Sequence, residues 1–547
     1  MNVVAAVFAD FEHTFLGGPS QLLTPLAGKP VLRRTLLRLR EVEGVDRRCL
    51  FVRSRDQGAA EQVVREAELS GAVDVLPLDP GARPRRELLR AARKWNLEAW
   101  RGSPLGTTWF DEFVEPFCVA RVMEHYGCNS VLCLDGHMPV FDPQIATAML
   151  RQERDYEDES KMVFTQAPPG LAGVVVRREL TRELLQQDLP LGLLLSYRPE
   201  MPRNDPINQP ACLAVDPKVA QTPARLTADT RRSRDLLTAA LAELGDAATA
   251  NELCVWFRQP GHDRAGPLPI EVEIELTTTD PLPETTLRPR GSRVPERHLA
   301  DIAPVEGLAR ELAAWDDRFI VLGGHGDPLA HPKFGDVCRV IRAAGVCGLA
   351  VVTPLVELSD YNLEALLATR VDILQVRLDA ATAETYRRVY GCDGFEHVLA
   401  NIDRIQQARR ARVSPQPIVV PSLTRCSSTM ADLEPFYDQW IRETGWAMIE
   451  GYNGFCGMLP SDTLLHTTPP LRGPCRRLDT RVMLLADGVA AICGQDYRGV
   501  HPVGCWASEP ISEIWRGERL TAARQAHQRL QLGGMPLCGC CREWFRP

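Results

Sequence analysis

The sequence lacks any apolar run long enough to cross a bilayer. No stretch of its 547 residues approaches the roughly 18 uncharged hydrophobic positions that a spanning helix needs. It also lacks a basic excess: Lys and Arg number 63 against 71 Asp and Glu, a formal net charge of −8. Neither nucleic acid nor an anionic membrane is therefore expected as the main partner. There are no internal repeats and no low-complexity tracts. With 45% hydrophobic and 24% charged residues, the composition is globular and excludes a disordered, collagenous or coiled-coil chain. The first residues, Met1-Asn2-Val3-Val4-Ala5-Ala6-Val7-Phe8-Ala9-Asp10, have no basic lead-in and meet an acid early. That is poor signal-peptide grammar and suits a buried strand. A cytoplasmic location is expected, where thiols stay reduced.

Cysteine is present in modest excess. The 17 cysteines are too few for a disulfide scaffold. Six of them, Cys475, Cys493, Cys505, Cys538, Cys540 and Cys541, fall in the last 73 residues, where an even spread would place about two. The others stand singly among apolar neighbours and read as small buried hydrophobes.

The length suggests three or four units at about 150 residues each. Residues 1–255 alternate apolar strands (Val3–Phe8, Cys49–Val52, Ser130–Leu134) with a helical repeat of Leu32, Leu36, Leu39 and Val42. That alternation predicts an α/β unit with a doubly wound, covered parallel sheet. Residues 256–269, with Pro260, Gly261, Gly266, Pro267 and Pro269, read as a linker. In residues 270–465, Ile270, Val272, Ile274 and Leu276 alternate with Glu271, Glu273 and Glu275 to give a strand of period two. Further strands are expected at Phe319–Leu322, Leu349–Thr353, Ile373–Leu378 and Ile418–Ser422, with a helix carrying Phe395, Val398, Leu399, Ile402 and Ile405 on one face. This second βα series suits a full or partial barrel. The three glutamates share one strand face and need exposure or arginine partners. Residues 466–547 look small and loop-rich, and a unit of that size gains from a metal staple.

In that tail, Cys475 and Cys493 are separated by seventeen residues, Cys493 and Cys538 by forty-four, and Cys538 and Cys541 by two. Four converging thiolates satisfy either a tetrahedral zinc or the corners of a 4Fe-4S cluster. Spacing alone leaves that choice open.

Pro474-Cys475-Arg476-Arg477-Leu478, Ala486-Asp487-Gly488-Val489, Gln495-Asp496, Ile514-Trp515, Arg524, His527 and Pro536-Leu537-Cys538 through Cys541-Arg542-Glu543-Trp544 resemble a SPASM domain. Such domains are appended to radical S-adenosylmethionine (radical SAM) enzymes. The resemblance implies one 4Fe-4S cluster held by Cys475, Cys493, Cys538 and Cys541, with Cys505 and Cys540 left over for packing.

The middle segment is similar to a radical SAM barrel. Glu273-Ile274-Glu275-Leu276-Thr277-Thr278 resembles its first strand, and Leu378-Asp379-Ala380-Ala381-Thr382 with Tyr386 and Gly391 resembles a later stretch. Gly323-Gly324-His325-Gly326-Asp327 resembles the glycine-rich cosubstrate loop, so Gly323, Gly324, Gly326 and Asp327 are the S-adenosylmethionine-like positions. One departure matters. Where the family carries C-x3-C-x2-C, this chain has Asp280, Glu284 and Leu287, and no such cysteine pattern occurs elsewhere in it. A leucine cannot ligate iron, so ordinary radical SAM catalysis is not expected.

Val3–Ala9, Leu26-Ala27-Gly28-Lys29-Pro30-Val31, Leu132-Cys133-Leu134-Asp135-Gly136-His137 and Arg225-Leu226-Thr227-Ala228-Asp229-Thr230 resemble a nucleotidyltransferase. That resemblance implies Lys29 near a nucleotide and Asp135 and Asp229 at Mg²⁺. The loop that would cradle a triphosphate carries Asp10 and Glu12 and no Arg or Lys, which would repel it.

The three-part combination resembles the spiro-SPASM family, which brings no established reaction. The expectation is an iron–sulfur protein in a binding or accessory role toward a protein or small molecule. An active Mg²⁺-dependent nucleotidyltransferase and a zinc-stapled scaffold are the alternatives.

Overall fold

The computed structural model describes residues 3–79, 85–201, 205–259, 266–282, 287–299, 301–465 and 467–546. Glu284 therefore lies outside the described residues. The chain divides into two compact units, Met1–His262 and Asp263–Pro547. No helix among the described residues is long and apolar enough to cross a membrane.

The first unit is built on a seven-stranded sheet. Its strands are β1 (Val3–Phe8), β2 (Arg47–Val52), β3 (Asp74–Pro77), β4 (Ser130–Asp135), β5 (Met162–Thr165), β6 (Val174–Arg177) and β7 (Cys212–Leu213), in the order β3-β2-β1-β4-β6-β5-β7. The first four run parallel. β6 then pairs antiparallel with both β4 and β5. The sheet is thus mixed, where a wholly parallel one was expected. Val3 to Val7 are all at most 2% exposed, because β1 lies in the middle of the sheet and is covered on both faces. The helix Val31–Arg40 turns Leu32, Leu36 and Leu39 into that core.

The second unit carries a nine-stranded sheet. β8 (Glu271–Glu275), β9 (Phe319–Gly323), β10 (Gly348–Thr353), β11 (Ile373–Arg377), β12 (Ile418–Arg425) and β13 (Met448–Gly451) pair in parallel in sequence order. On the other side of β8 lie β14 (Arg481–Leu484), β15 (Val489–Ala491) and β16 (Pro502–Cys505). β14 is parallel to β8, and β15 and β16 are antiparallel additions. The tail, read from sequence as a small unit with a thin core of its own, instead extends the sheet of the βα series. Leu478, Val482, Leu484, Trp506, Trp515 and Cys538 belong to the same buried cluster as Val272, Ile320 and Leu374. Sharing that core gives the tail more apolar burial than about 80 residues could gather alone.

Candidate functional site

Five cysteines converge in the second unit. Cys475 stands just before the 3₁₀ turn Arg476–Asp479, Cys493 follows β15, Cys538 lies in the short helix Pro536–Cys540, and Cys541 caps that helix. The fifth is Cys456, in the turn Phe455–Gly457, with φ of 58°. Cys456 and Cys541 act on each other as a pair, the contact lowering the Cys541 thiol and raising that of Cys456. Burial pushes Cys493 and Cys538 up to about 12, with the neighbouring thiolates adding to the effect. Cys475 is raised in the same way, with Cys541 contributing.

Backbone donors surround these sulfurs. The N–H groups of Arg477 and Leu478 point at Cys475 and that of Gln495 at Cys493. The Glu543 N–H donates to Cys541 Sγ at 3.3 Å. Amide donors aimed at sulfur favour the thiolate form that a metal or cluster requires. Arg472 braces the knuckle by donating to Cys541 O at 2.7 Å and Cys538 O at 3.0 Å, and it stacks over Trp544 at 5.3 Å. His527 Nδ1 accepts from the Cys475 N–H at 3.3 Å, and its pKa is pushed down to about 4 by burial and by Arg472. Arg524 lies 4.0 Å over Trp515 and donates to Leu478 O at 2.9 Å. Cys540 is exposed, and Cys505 is half-buried at the end of β16.

Among the described residues, no three His, Cys, Asp or Glu side chains are gathered tightly enough to hold a single metal ion. A tetrahedral zinc bonded at about 2.3 Å needs its four sulfurs within about 3.8 Å of one another. Chemically the donors suit a group with four thiolate corners, and the sulfurs stand within electrostatic reach of one another.

Sequence reasoning set Cys456 aside with the isolated thiols. Its signal was weak: a cysteine between Phe455 and Gly457, nineteen positions before Cys475.

Beside the cysteines lies a cavity of about 250 Å³, lined by six arginines and four glutamates together with His325, Phe455 and Cys493. The glutamates of β8 are accounted for one by one. Glu271 pairs with Arg481 at 3.4 Å, and Glu273 Oε1 accepts from the Gly324 N–H at 2.9 Å. Glu275, fully buried, takes Arg297 at 2.8 Å and the His325 N–H at 3.2 Å. Burial raises the Glu275 carboxyl, against the pull of Arg297.

The glycine-rich loop owes its glycines to packing. A Cβ on Gly324 (φ +86°) would sit 2.7 Å from Glu275 Cβ, and one on Gly326 would sit 2.3 Å from Thr277 O. Asp327 is 1% exposed and accepts from the Leu329 N–H at 3.1 Å, and burial pushes it up to about 7. Of the four S-adenosylmethionine-like positions, only Gly324 lines the cavity. Asp280 is ion-paired with Arg290, both almost fully buried, and Leu287 packs with Cys426 and Tyr452.

In the first unit, Lys29 Nζ is half-exposed and pairs with Asp246 at 2.6 Å. Asp135 Oδ1 accepts the His137 N–H at 2.7 Å and lies 3.0 Å from His137 Nδ1. Asp229 is buried under Arg225, which grips both of its oxygens, and Thr227 donates to it at 2.6 Å. Burial would raise that carboxyl, but Arg225 outweighs it and holds the pKa at about 2. His137 feels both aspartates. A carboxylate already engaged on both oxygens is poorly presented to a cation. The acidic first loop is neutralised from elsewhere: Asp10 pairs with Arg53 at 2.8 Å and Arg86 at 3.3 Å, and Glu12 with Arg53 at 2.9 Å and with Arg55.

No family model matches the chain. It is 25% identical over 296 residues to an uncharacterized protein of Treponema pallidum, covering 51% of this chain and 79% of that one. It is 26% identical over 159 residues to the GTP 3',8-cyclase of Chlorobaculum tepidum, covering 26% of this chain and 48% of the cyclase, so the match spans about half of that enzyme. Similar solved structures include BtrN in complex with AdoMet and 2-DOIA (14% identity, TM-score 0.35, 50% of this chain and 93% of that one). Streptococcus suis SuiB bound to S-adenosylmethionine is another (10%, TM-score 0.40, 56% and 83%). A third is a cytidylyltransferase from Leptospira borgpetersenii (14%, TM-score 0.33, 46% and 92%).

Proposed function

We propose that this chain is an iron–sulfur protein with one SPASM-type 4Fe-4S cluster on Cys475, Cys493, Cys538 and Cys541. Its radical SAM-like barrel, without a catalytic cluster of its own, then serves a binding or accessory role. The observation that carries this reading is the convergence of those thiols from three separate segments, with backbone N–H groups aimed at three of the sulfurs. When bound, such a cluster supplies electron transfer or a structural staple, since four thiolates leave no iron open to substrate. The chain's part is to hold the sulfurs. Arg472 fixes the carbonyls of the C-terminal pair and His527 fixes the amide of Cys475. Cys538 is buried in the core of the second unit, and Cys475 and Cys493 pack against it half-buried. Gly326 is explained by close backbone packing and Gly324 by its positive φ and the Glu275 side chain against it, with no need of S-adenosylmethionine. In the first unit, the grip of Arg225 on Asp229 favours a retained fold over Mg²⁺ chemistry.

The test is anaerobic purification with iron and sulfide quantification and an optical spectrum. About four irons per chain and a broad absorption near about 400 nm are expected, lost in Cys475→Ala and Cys538→Ala. One zinc in a colourless protein would refute the cluster. About eight irons would refute the inactive barrel.

A further inference from the structure

The cavity of the second unit is walled by six arginines, and two of them are only loosely engaged. Of its six arginines, Arg481 and Arg546 have carboxylate partners at 3.4 and 3.1 Å, and Arg290 is taken by Asp280. Glu273 is occupied by the backbone of Gly324. Arg377 is different. Its hydrogen bonding is a 3.5 Å contact from Nη1 to Gly324 O, and its Nε is buried without a partner. Arg288 stands 3.5 Å from Asp379 and 3.6 Å from Glu450, too far for firm hydrogen bonds, and its Nε and Nη2 are likewise buried and unpartnered. His325 adds an unpartnered Nε2 from the same wall. A buried guanidinium whose N–H groups lack firm acceptors is costly. Its planar fork is made to grip carboxylate or phosphate oxygens in pairs.

We infer that this cavity binds a small oxyanion-bearing molecule, a phosphate monoester or a dicarboxylate, gripped by Arg288 and Arg377. The volume of about 250 Å³ lies below the range of pockets built for drug-sized ligands, so the ligand is a compact one. S-adenosylmethionine offers one carboxylate but brings a sulfonium and an ammonium with it, so a plain dianion suits these two arginines better. His325, whose pKa is pushed down to about 3 by burial and by Arg297, Arg377, Arg288 and Arg290, stays neutral and offers a hydrogen bond rather than charge. The site needs no metal in the tail, so a colourless preparation would refute the preceding reading and leave this one intact.

The test is thermal unfolding of the full chain with inorganic phosphate, glycerol 3-phosphate, succinate or S-adenosylmethionine, each against sodium chloride at matched ionic strength. A saturable rise in midpoint with glycerol 3-phosphate assigns the phosphate form, and one with succinate the dicarboxylate form. Arg377→Gln should weaken that binding at least tenfold, and Arg288→Gln serves the same end should the first variant fold poorly. Arg412→Gln, which lies outside the cavity and loses only a half-exposed ion pair with Glu364, should bind as the unmodified chain does. Circular dichroism checks the fold of each variant. The inference is overturned if no oxyanion exceeds the chloride control, if both arginine variants bind undiminished, or if S-adenosylmethionine alone stabilises the protein.

Discussion

Asp229→Asn separates a structural aspartate from a metal ligand. In the folded chain Arg225 and Thr227 hold the Asp229 carboxyl at about 2, against an ordinary value of 3.8. At 1.36 kcal/mol per unit, that depression contributes about 2 kcal/mol at neutral pH. Because the folded value lies below the unfolded one, the contribution is complete above about pH 4 and is lost as pH falls through about 2. Asparagine keeps the shape and can still accept from Thr227, but it leaves Arg225 with Glu112 alone, at 2.7 Å. Native-state hydrogen exchange on the following helix, Arg231–Leu244, is the suitable assay, since a two-unit chain need not unfold in one step. Protection should fall about 30-fold at pH 7, and the difference from the unmodified chain should shrink toward nothing by pH 2. An unchanged protection at pH 7, or a gap that persists at pH 2, refutes the reasoning. If Mg²⁺ protected the unmodified chain and not the variant, Asp229 would be a metal ligand after all.

Three further outcomes follow from packing and pairing. Gly326→Ala places a Cβ 2.3 Å from Thr277 O and 2.7 Å from Thr278 Cα, both backbone, so it should cost about 3 kcal/mol in urea unfolding of the second unit; Gly534→Ala, with nothing within 4 Å, is the silent control. Glu275→Gln strands the buried Arg297 guanidinium and should cost about 3–5 kcal/mol by the same measurement, with Arg297→Met added to it recovering most of the loss. Cys456→Ser should retain about four irons per chain by colorimetric assay while Cys541→Ser loses them, because the cluster reading makes Cys456 a hydrogen-bonding neighbour of Cys541 rather than a ligand.

The βα order was legible where burial writes itself into sequence. β1 and β10 are covered on both faces and read as unbroken apolar runs, and β8 alternates because Glu271 and Glu273 line a cavity while Glu275 meets a buried arginine. The antiparallel pairing of β6 was not legible, since a run such as Val174–Arg177 carries no mark of its partner's direction. Partners distant in sequence were invisible for the same reason. Asp10 and Glu12 made the first loop look repulsive, while Arg53, Arg55 and Arg86, which neutralise it, lie some forty to seventy-five positions on. Four of the five converging cysteines were found through dispersed motifs. Cys456 reaches them through a left-handed turn at a non-glycine residue, a conformation that sequence patterns seldom announce.

The loop after β8 bears on how the barrel is used. Asp280 and Leu287 stand where the resemblance would place two cysteines, yet each is built into the fold. Asp280 meets Arg290 in a nearly dry ion pair, and Arg290 in turn lies 5.9 Å from the Tyr390 ring. Leu287, 3% exposed, fills a small apolar cluster with Cys426 and Tyr452. A buried pair is costly to break, by about 3–5 kcal/mol for one partner, and a buried leucine by about 2–5 kcal/mol. The same loop also delivers Arg288 and Arg290 to the cavity wall, so the segment that would serve a cluster in a radical SAM barrel here supplies guanidinium groups. The guanidinium groups of the cavity and the identity of the loop are therefore one feature, and the oxyanion proposed above depends on both.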